Sequence, residues 1–219
     1  MDRRPSLAAG GSAFSLGRII FAAPPIHMTT FISLADPNVK QKIGQLQPTN
    51  GYVLMADLVG STELKHGKDF KDWAPDFLFP FQNIHSNIFQ DALKVVGDMA
   101  MYWFPESACP DPEEIMTGLM KVQRDLFGRF KMAFVCCQKV YEVSFHKTVR
   151  EDVYGSDIDL TARLLARAKP GEVLMNAACR EEIVRRKKGI DFSGEIDGPQ
   201  SVSLKGFSDP IDIFLWRVP

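Results

Sequence analysis

No apolar run in this chain approaches the roughly 20 residues that a membrane-spanning helix needs. Charge of neither sign dominates: 26 Lys and Arg face 27 Asp and Glu, a formal net charge of −1, with no basic block. That balance argues against nucleic acid or an anionic membrane as the partner. Cysteine is sparse. Cys109, Cys136, Cys137 and Cys179 have no zinc-site spacing, and the adjacent Cys136 and Cys137 face opposite sides of a strand. They read as buried, reduced thiols and fit a cytoplasmic protein. His66, His85 and His146 lack partner spacing, and no internal repeat is present. Arg3 and Arg4 precede a small-residue stretch, but Arg18 breaks it and no clean cleavage site follows, so no targeting segment is expected. Met28 is a second candidate start.

What is present is an ordinary globular composition, 45% hydrophobic and 24% charged over 219 residues. Residues 1–47, rich in Gly, Ala, Ser and Pro, read as a partly flexible N-terminal arm holding at most a short helix between 31 and 46. Residues 48–219 read as one domain. The apolar run from Gly51 to Leu58 is a strand covered on both faces. A helix starts at Ser61 or Thr62 as N-cap, Pro75 and Pro80 interrupt, and 77–93 has helical spacing. Lys94–Val96 and Met99–Phe104 form a hairpin about Gly97-Asp98. A helix opens at Pro112 and runs to about Phe127. Strands at 130–137 and 139–146, a helix at 156–168, a strand at 173–175, a helix at 177–187 and a strand pair at 202–204 and 211–218 complete the chain. Strands and helices mix with several hairpins, which predicts an α+β sheet covered by helices.

Four separated segments carry chemistry. Asp57 ends a strand just before the Gly60-Ser61-Thr62 turn, an acid beside a loop of backbone N–H groups. Asp98 lies in a hairpin turn after Lys94. Asp152-Val-Tyr-Gly155 precedes a helix that places Asp159 and Arg163 on one face, four residues apart. Lys205-Gly206 lies near the end. Each has a plainer reading on its own: Asp57 as a helix cap, Asp98 as a turn residue, Lys94 and Lys205 as solvated surface lysines, Asp159 and Arg163 as a helix ion pair.

Together, the order and spacing of these segments over about residues 50–217 resemble the class III nucleotidyl cyclases, the catalytic domain of adenylyl and guanylyl cyclases. Lys94-Val-Val-Gly-Asp98 resembles that family's Lys-x-x-Gly-Asp hairpin. Asp152-Val-Tyr-Gly-Ser-Asp-Ile-Asp-Leu-Thr-Ala-Arg163 resembles its Asp-x-x-Gly-x-x-Val-Asn-x-Ala-x-Arg motif, and Leu204-Lys205-Gly206 its Leu-Lys-Gly. The resemblance implies a ferredoxin-like βαββαβ sheet in a head-to-tail homodimer, with sites shared between protomers. It implies two divalent cations, Mn²⁺ or Mg²⁺, on Asp57, Asp98 and the backbone carbonyl of Leu58. It implies a triphosphate cradled by Gly60, Ser61 and Thr62 and neutralised by Lys205, and a base pocket at Lys94 and Asp152. Asp159 would stand at the ribose, and Arg163 would stabilise the transferring phosphoryl group. Hard carboxylates suit such cations, and arginine supplies a permanently charged donor fork.

Two departures stand out. Asp159 replaces the usual Asn, and Val135-Cys-Cys-Gln-Lys-Val-Tyr lacks the expected Gly-x-x-x-Gly. With no sensor or membrane segment apparent, the chain is also similar to the antiphage Pycsar cyclases. That implies UTP as substrate, cyclic UMP as product and a separate cyclic-nucleotide-activated effector. The alternatives are an adenylate cyclase, since Lys94 and Asp152 match the pair that reads adenine in many relatives, and a catalytically inactive nucleotide-sensing or dimerisation module.

Overall fold

A computed structural model of the chain describes residues 29–108, 111–145, 152–185 and 196–217. Residues 1–28 of the expected arm, Cys109 and His146 lie outside the described residues. The elements in order are β1 (Thr30–Phe31), α1 (Val39–Gly44), β2 (Thr49–Leu58), α2 (Ser61–Lys65), α3 (Phe70–Ile88), β3 (Lys94–Val96), β4 (Met99–Pro105) and α4 (Pro112–Asp125). They continue with β5 (Phe130–Ser144), β6 (Val153–Tyr154), α5 (Ser156–Leu165), β7 (Glu172–Asn176), α6 (Ala177–Arg185), β8 (Ile196–Val202) and β9 (Ile211–Arg217).

The central sheet has the order β3-β4-β2-β5-β7-β9-β8, with β1 and β6 paired to β5. Its first part, β2-α3-β3-β4-α4-β5, is the expected βαββαβ unit: β4 and β5 flank β2, both antiparallel to it. The parallel β5–β7 pair, joined through α5, then extends the sheet toward β9 and β8. Alternation along β2 divides the core. Tyr52, Leu54, Ala56 and Leu58 point to a first face covered by α3, α4 and α6. Val53 and Met55 point to a second face, where Met101, Trp103 and Val135 meet Leu160, Leu164 and Leu165 of α5 and Leu204. That second face carries the site.

Four expectations need correction. Pro75 and Pro80 lie inside α3, which starts at Phe70. Their missing N–H groups would serve the carbonyls of Lys71 and Asp76, both at exposed positions where water can take over, while Ala74, Phe77, Pro80, Ile84 and Ile88 bury one stripe against the sheet. The two strands expected at 130–137 and 139–146 are one strand, β5. Its apparent break is a bulge: Gly51 faces Cys137 and Thr49 faces Val140, so Gln138 and Lys139 together oppose Asn50. β8 covers Ile196–Val202 rather than 202–204; it is an edge strand whose register shifts between Asp197 and Gln200, which erases the alternation. Finally, the cap of α2 is Gly60, whose φ of 76° favours glycine, and Ser61 is the first helical residue.

Residues 30–31 form a short parallel pairing with Val143 and Ser144 of β5, and Ile32 beside them is buried.

Candidate active site

Asp57 is the penultimate residue of β2 and, by alternation, faces the second side of the sheet. Its cross-strand partners are Met99 on β4 and Lys131 on β5. The Lys131 ammonium lies 2.6 Å from Asp57 Oδ2, with side chains 31% and 17% exposed. The neighbouring Leu58 N–H donates to the carbonyl oxygen of Asp98 at 3.0 Å, which fastens the end of β2 to the β3–β4 turn. Gly97, with φ of 64°, supplies the left-handed residue of that turn. Asp98 is thereby set beside the Gly60-Ser61-Thr62 turn. The buried Ser61 hydroxyl donates to Asp98 Oδ2. That bond holds the Asp98 carboxyl below its ordinary range against partial desolvation, with smaller contributions from Lys65 and from the adjoining Asp57 side chain. Lys65 itself stacks 4.0 Å from the Phe77 ring.

Two carboxylates on adjoining elements, one of them already holding a cationic ammonium, form a hard-oxygen donor pair that suits Mg²⁺ or Mn²⁺. Among the described residues no group of three or more His, Cys, Asp or Glu gathers into a fuller metal cage. A magnesium-type site with few protein ligands, completed by water and phosphate, needs no such cage.

The second cluster is the Lys94–Asp152 pair. Lys94 opens β3 opposite Met101, on the same sheet face as Asp57. Two strand spacings and two residues separate their Cα positions, on the order of 12 Å. Lys94 Nζ pairs with Asp152 Oδ1. Asp152 comes from the segment before β6, which reaches the second face because the distal half of β5 crosses it after the bulge: Glu142 accepts the Trp103 indole N–H at 2.9 Å, and Val140 and Val153 join the second-face core. Asp152 Oδ1 also accepts the Val153 N–H at 2.8 Å, and Oδ2 accepts the Tyr154 hydroxyl at 3.0 Å.

Asp159 and Arg163 lie at exposed positions of α5, and Lys205 in the exposed loop before β9. Among the described residues, none of the three makes a side-chain hydrogen bond or ion pair with Asp57, Asp98, Lys94 or Asp152, and Asp159 and Arg163 do not pair with each other. Gly60 and Thr62 are exposed beside the Asp98 turn. One chain therefore assembles an acidic group and a Lys94–Asp152 group, and leaves the remaining cations facing solvent. Sequence reasoning missed Lys131 and Tyr154. The signal for Lys131 was a lone charge in the apolar run Phe130–Cys137; its partner is visible only across strands. A cleft of about 160 Å³ near Asn50, Glu106 and Arg185 lies at the other end of β2 and holds none of these residues.

No protein-family model matches the chain, and no curated protein is significantly similar in sequence. Solved structures do match. The adenylyl cyclase CyaB from P. aeruginosa superposes with a TM-score of 0.65 at 17% identity, covering 78% of this chain and 95% of that one. The guanylyl cyclase Cya2 gives 0.61 at 16% identity, covering 79% and 93%. The guanylate cyclase domain of RhGC from Catenaria anguillulae, in complex with GTP, gives 0.60 at 11% identity, covering 78% and 97%. The fold is that of the class III nucleotidyl cyclase catalytic domain.

Proposed function

We propose that this chain is a nucleotidyl cyclase that converts a nucleoside triphosphate to a 3′,5′-cyclic nucleotide and pyrophosphate. The observation that carries the reading is the convergence of the Asp57 and Asp98 carboxylates at the Gly60-Ser61-Thr62 turn, on the same sheet face as Lys94 and Asp152. In the reaction the 3′-hydroxyl oxygen bonds to the α-phosphorus, its proton passes to solvent, and the bond to the β-phosphate oxygen breaks. Asp57 and Asp98, with the Leu58 carbonyl, would hold two Mn²⁺ or Mg²⁺ ions, which acidify the attacking hydroxyl and neutralise the leaving pyrophosphate. Gly60, Ser61 and Thr62 cradle the triphosphate with backbone N–H groups. Lys94 and Asp152 grip the base edge. Arg163 supplies a donor fork to the transferring phosphoryl group, Lys205 offsets triphosphate charge, and Asp159 stands at the ribose. Catalysis by such parts is positioning and charge stabilisation.

Arg163, Asp159 and Lys205 are exposed and, among the described residues, make no ion pair with the acids of their own chain, which supports a head-to-tail homodimer in which they complete the partner's site. UTP is the favoured substrate and cyclic UMP the product, acting in the cytoplasm on a separate effector in antiphage defence; Asp159 in place of the usual Asn supports a substrate other than the common one. ATP and cyclic AMP form the second reading, favoured by the Lys94–Asp152 pair. A catalytically inactive nucleotide-sensing module is the third; the retained Asp57 and Asp98 count against it.

The test is incubation of the purified dimer with ATP, GTP, CTP and UTP in Mn²⁺ or Mg²⁺, with mass spectrometry of the products. A cyclic nucleotide is expected, and Asp57→Ala or Asp98→Ala should abolish it in folded protein. No cyclic product from any of the four would sink the enzyme reading, and a dominant cyclic AMP signal would replace UTP with ATP.

A further inference from the structure

Tyr154 is not among the residues assigned above, yet it is wired into the Lys94–Asp152 pair. Its hydroxyl donates to Asp152 Oδ2 at 3.0 Å. Its ring centroid lies 6.0 Å from Lys94 Nζ and packs edge-on against Phe145 at 5.3 Å. The residue is 42% exposed, so its ring stands at the mouth of this cluster rather than in the core.

The hydrogen-bond inventory of the cluster is lopsided. A carboxylate is an acceptor only, with about four lone-pair directions. Asp152 gives three of them to the Lys94 ammonium, the Val153 N–H and the Tyr154 hydroxyl, which fills Oδ1 and leaves one direction on Oδ2. Lys94 has three N–H donors and no acceptor, and the Asp152 contact engages one side of it. What the pair offers a visiting base is therefore mainly donors from Lys94. Nucleobases differ in what they present to such an edge. Uracil and guanine carry a carbonyl oxygen, an acceptor, where cytosine and adenine carry an amino group, a donor. A carbonyl oxygen meets the free Lys94 donors directly. An amino group meets donor with donor at Lys94, and at Oδ2 it must share the oxygen with the Tyr154 hydroxyl, which weakens its bond. Polar groups that a bound base covers and leaves unpaired give a site its discrimination.

We propose that Tyr154 is a specificity-determining residue: by holding Asp152 Oδ2, its hydroxyl directs the pocket toward a nucleobase with a carbonyl oxygen, rather than an amino group, at the edge that faces Lys94 and Asp152. This rests on the cyclase reading and deepens it. Tyr154→Phe keeps the ring against Phe145 and releases Oδ2 to accept an amino group.

UTP and CTP form the test pair: uracil presents a carbonyl oxygen beside a ring N–H, and cytosine an amino group beside a bare ring nitrogen. Full-length wild-type and Tyr154→Phe proteins are assayed with each in Mn²⁺, and kcat/KM is taken from the mass-resolved cyclic products. The wild type should favour UTP, and the variant should lower the UTP-to-CTP ratio by about tenfold. The GTP-to-ATP ratio should move the same way. A structural disturbance would reduce both members of each pair together and leave the ratios unchanged, so an unchanged ratio in a variant that still turns over overturns the inference. So does a wild type that favours CTP. In either case the cyclase reading stands. Calorimetric binding of α,β-methylene-UTP and α,β-methylene-CTP, which cannot release pyrophosphate, reads the pocket separately. If no triphosphate is cyclised, the cyclase reading falls, and equal affinity of the wild type for the two analogues then overturns the inference independently.

Discussion

Lys131 Nζ and Asp57 Oδ2 meet at 2.6 Å across the β2–β5 ladder, so a side-chain cation lies against the acid proposed to hold the metal. Lys131 and a divalent ion then compete for the same oxygen. Lys131→Met should bind Mn²⁺ several-fold more tightly in the absence of nucleotide, an ion pair of this exposure being worth about 0.2–1 kcal/mol. Titration calorimetry decides it. Unchanged or weaker Mn²⁺ binding would show that Lys131 does not compete.

The Ser61–Asp98 bond makes a pH-dependent prediction. Ser61 donates to Asp98, whose folded carboxyl lies below its ordinary range. A depressed carboxyl stabilises the fold above its unfolded pKa of about 3.9, and the contribution fades as pH falls through the folded pKa. Ser61→Ala should therefore be less stable than wild type at neutral pH by about 1–2 kcal/mol, with the deficit shrinking in acid. Urea unfolding at neutral and acid pH, in chelator, measures the two differences. A deficit that stays constant or grows toward acid would contradict the assignment.

The proposed sharing of the site between two protomers predicts complementation. Asp57→Ala and Arg163→Ala should each lose turnover by about 10²-fold or more. Mixed and allowed to exchange subunits, they should regain part of the activity, because one site of the heterodimer carries no substitution. A mixture as inactive as its components, with exchange demonstrated by mass, would place Arg163 in the same half-site as Asp57.

Pro75 sits inside α3 at an exposed position. Pro75→Ala should raise stability by about 1–2 kcal/mol, the helical gain exceeding the entropy returned to the unfolded chain. Denaturant midpoints test this, and a fall would mean that the ring makes a needed contact.

Part of the candidate site was legible because its residues sit in local signatures. Asp57 before a glycine turn, Asp98 in a hairpin, and Asp159 with Arg163 on one helix face are short-range patterns; the order of elements predicted an α+β sheet covered by helices, and the βαββαβ core came from the resemblance those patterns carry. What escaped was non-local. Lys131 gains meaning only opposite Asp57, and Tyr154 only through a hydroxyl aimed at Asp152. The proline signals in α3 were overridden by burial of Phe77 and Ile84, and the pairing of Thr30 with Val143 depends on a strand more than a hundred residues away.

The bulge at Gln138 and Lys139 has a bearing on how the domain can evolve. Beyond it, β5 supports β6 and the segment that delivers Asp152 to Lys94; before it, the same strand pairs Lys131 with Asp57. Removing one of the two bulged residues would turn every later side chain of β5 to the opposite side. Both ends would keep their chemistry and lose their phase. Length in this stretch is thus under tighter constraint than residue identity, and tolerated changes there should come as substitutions or as paired insertions.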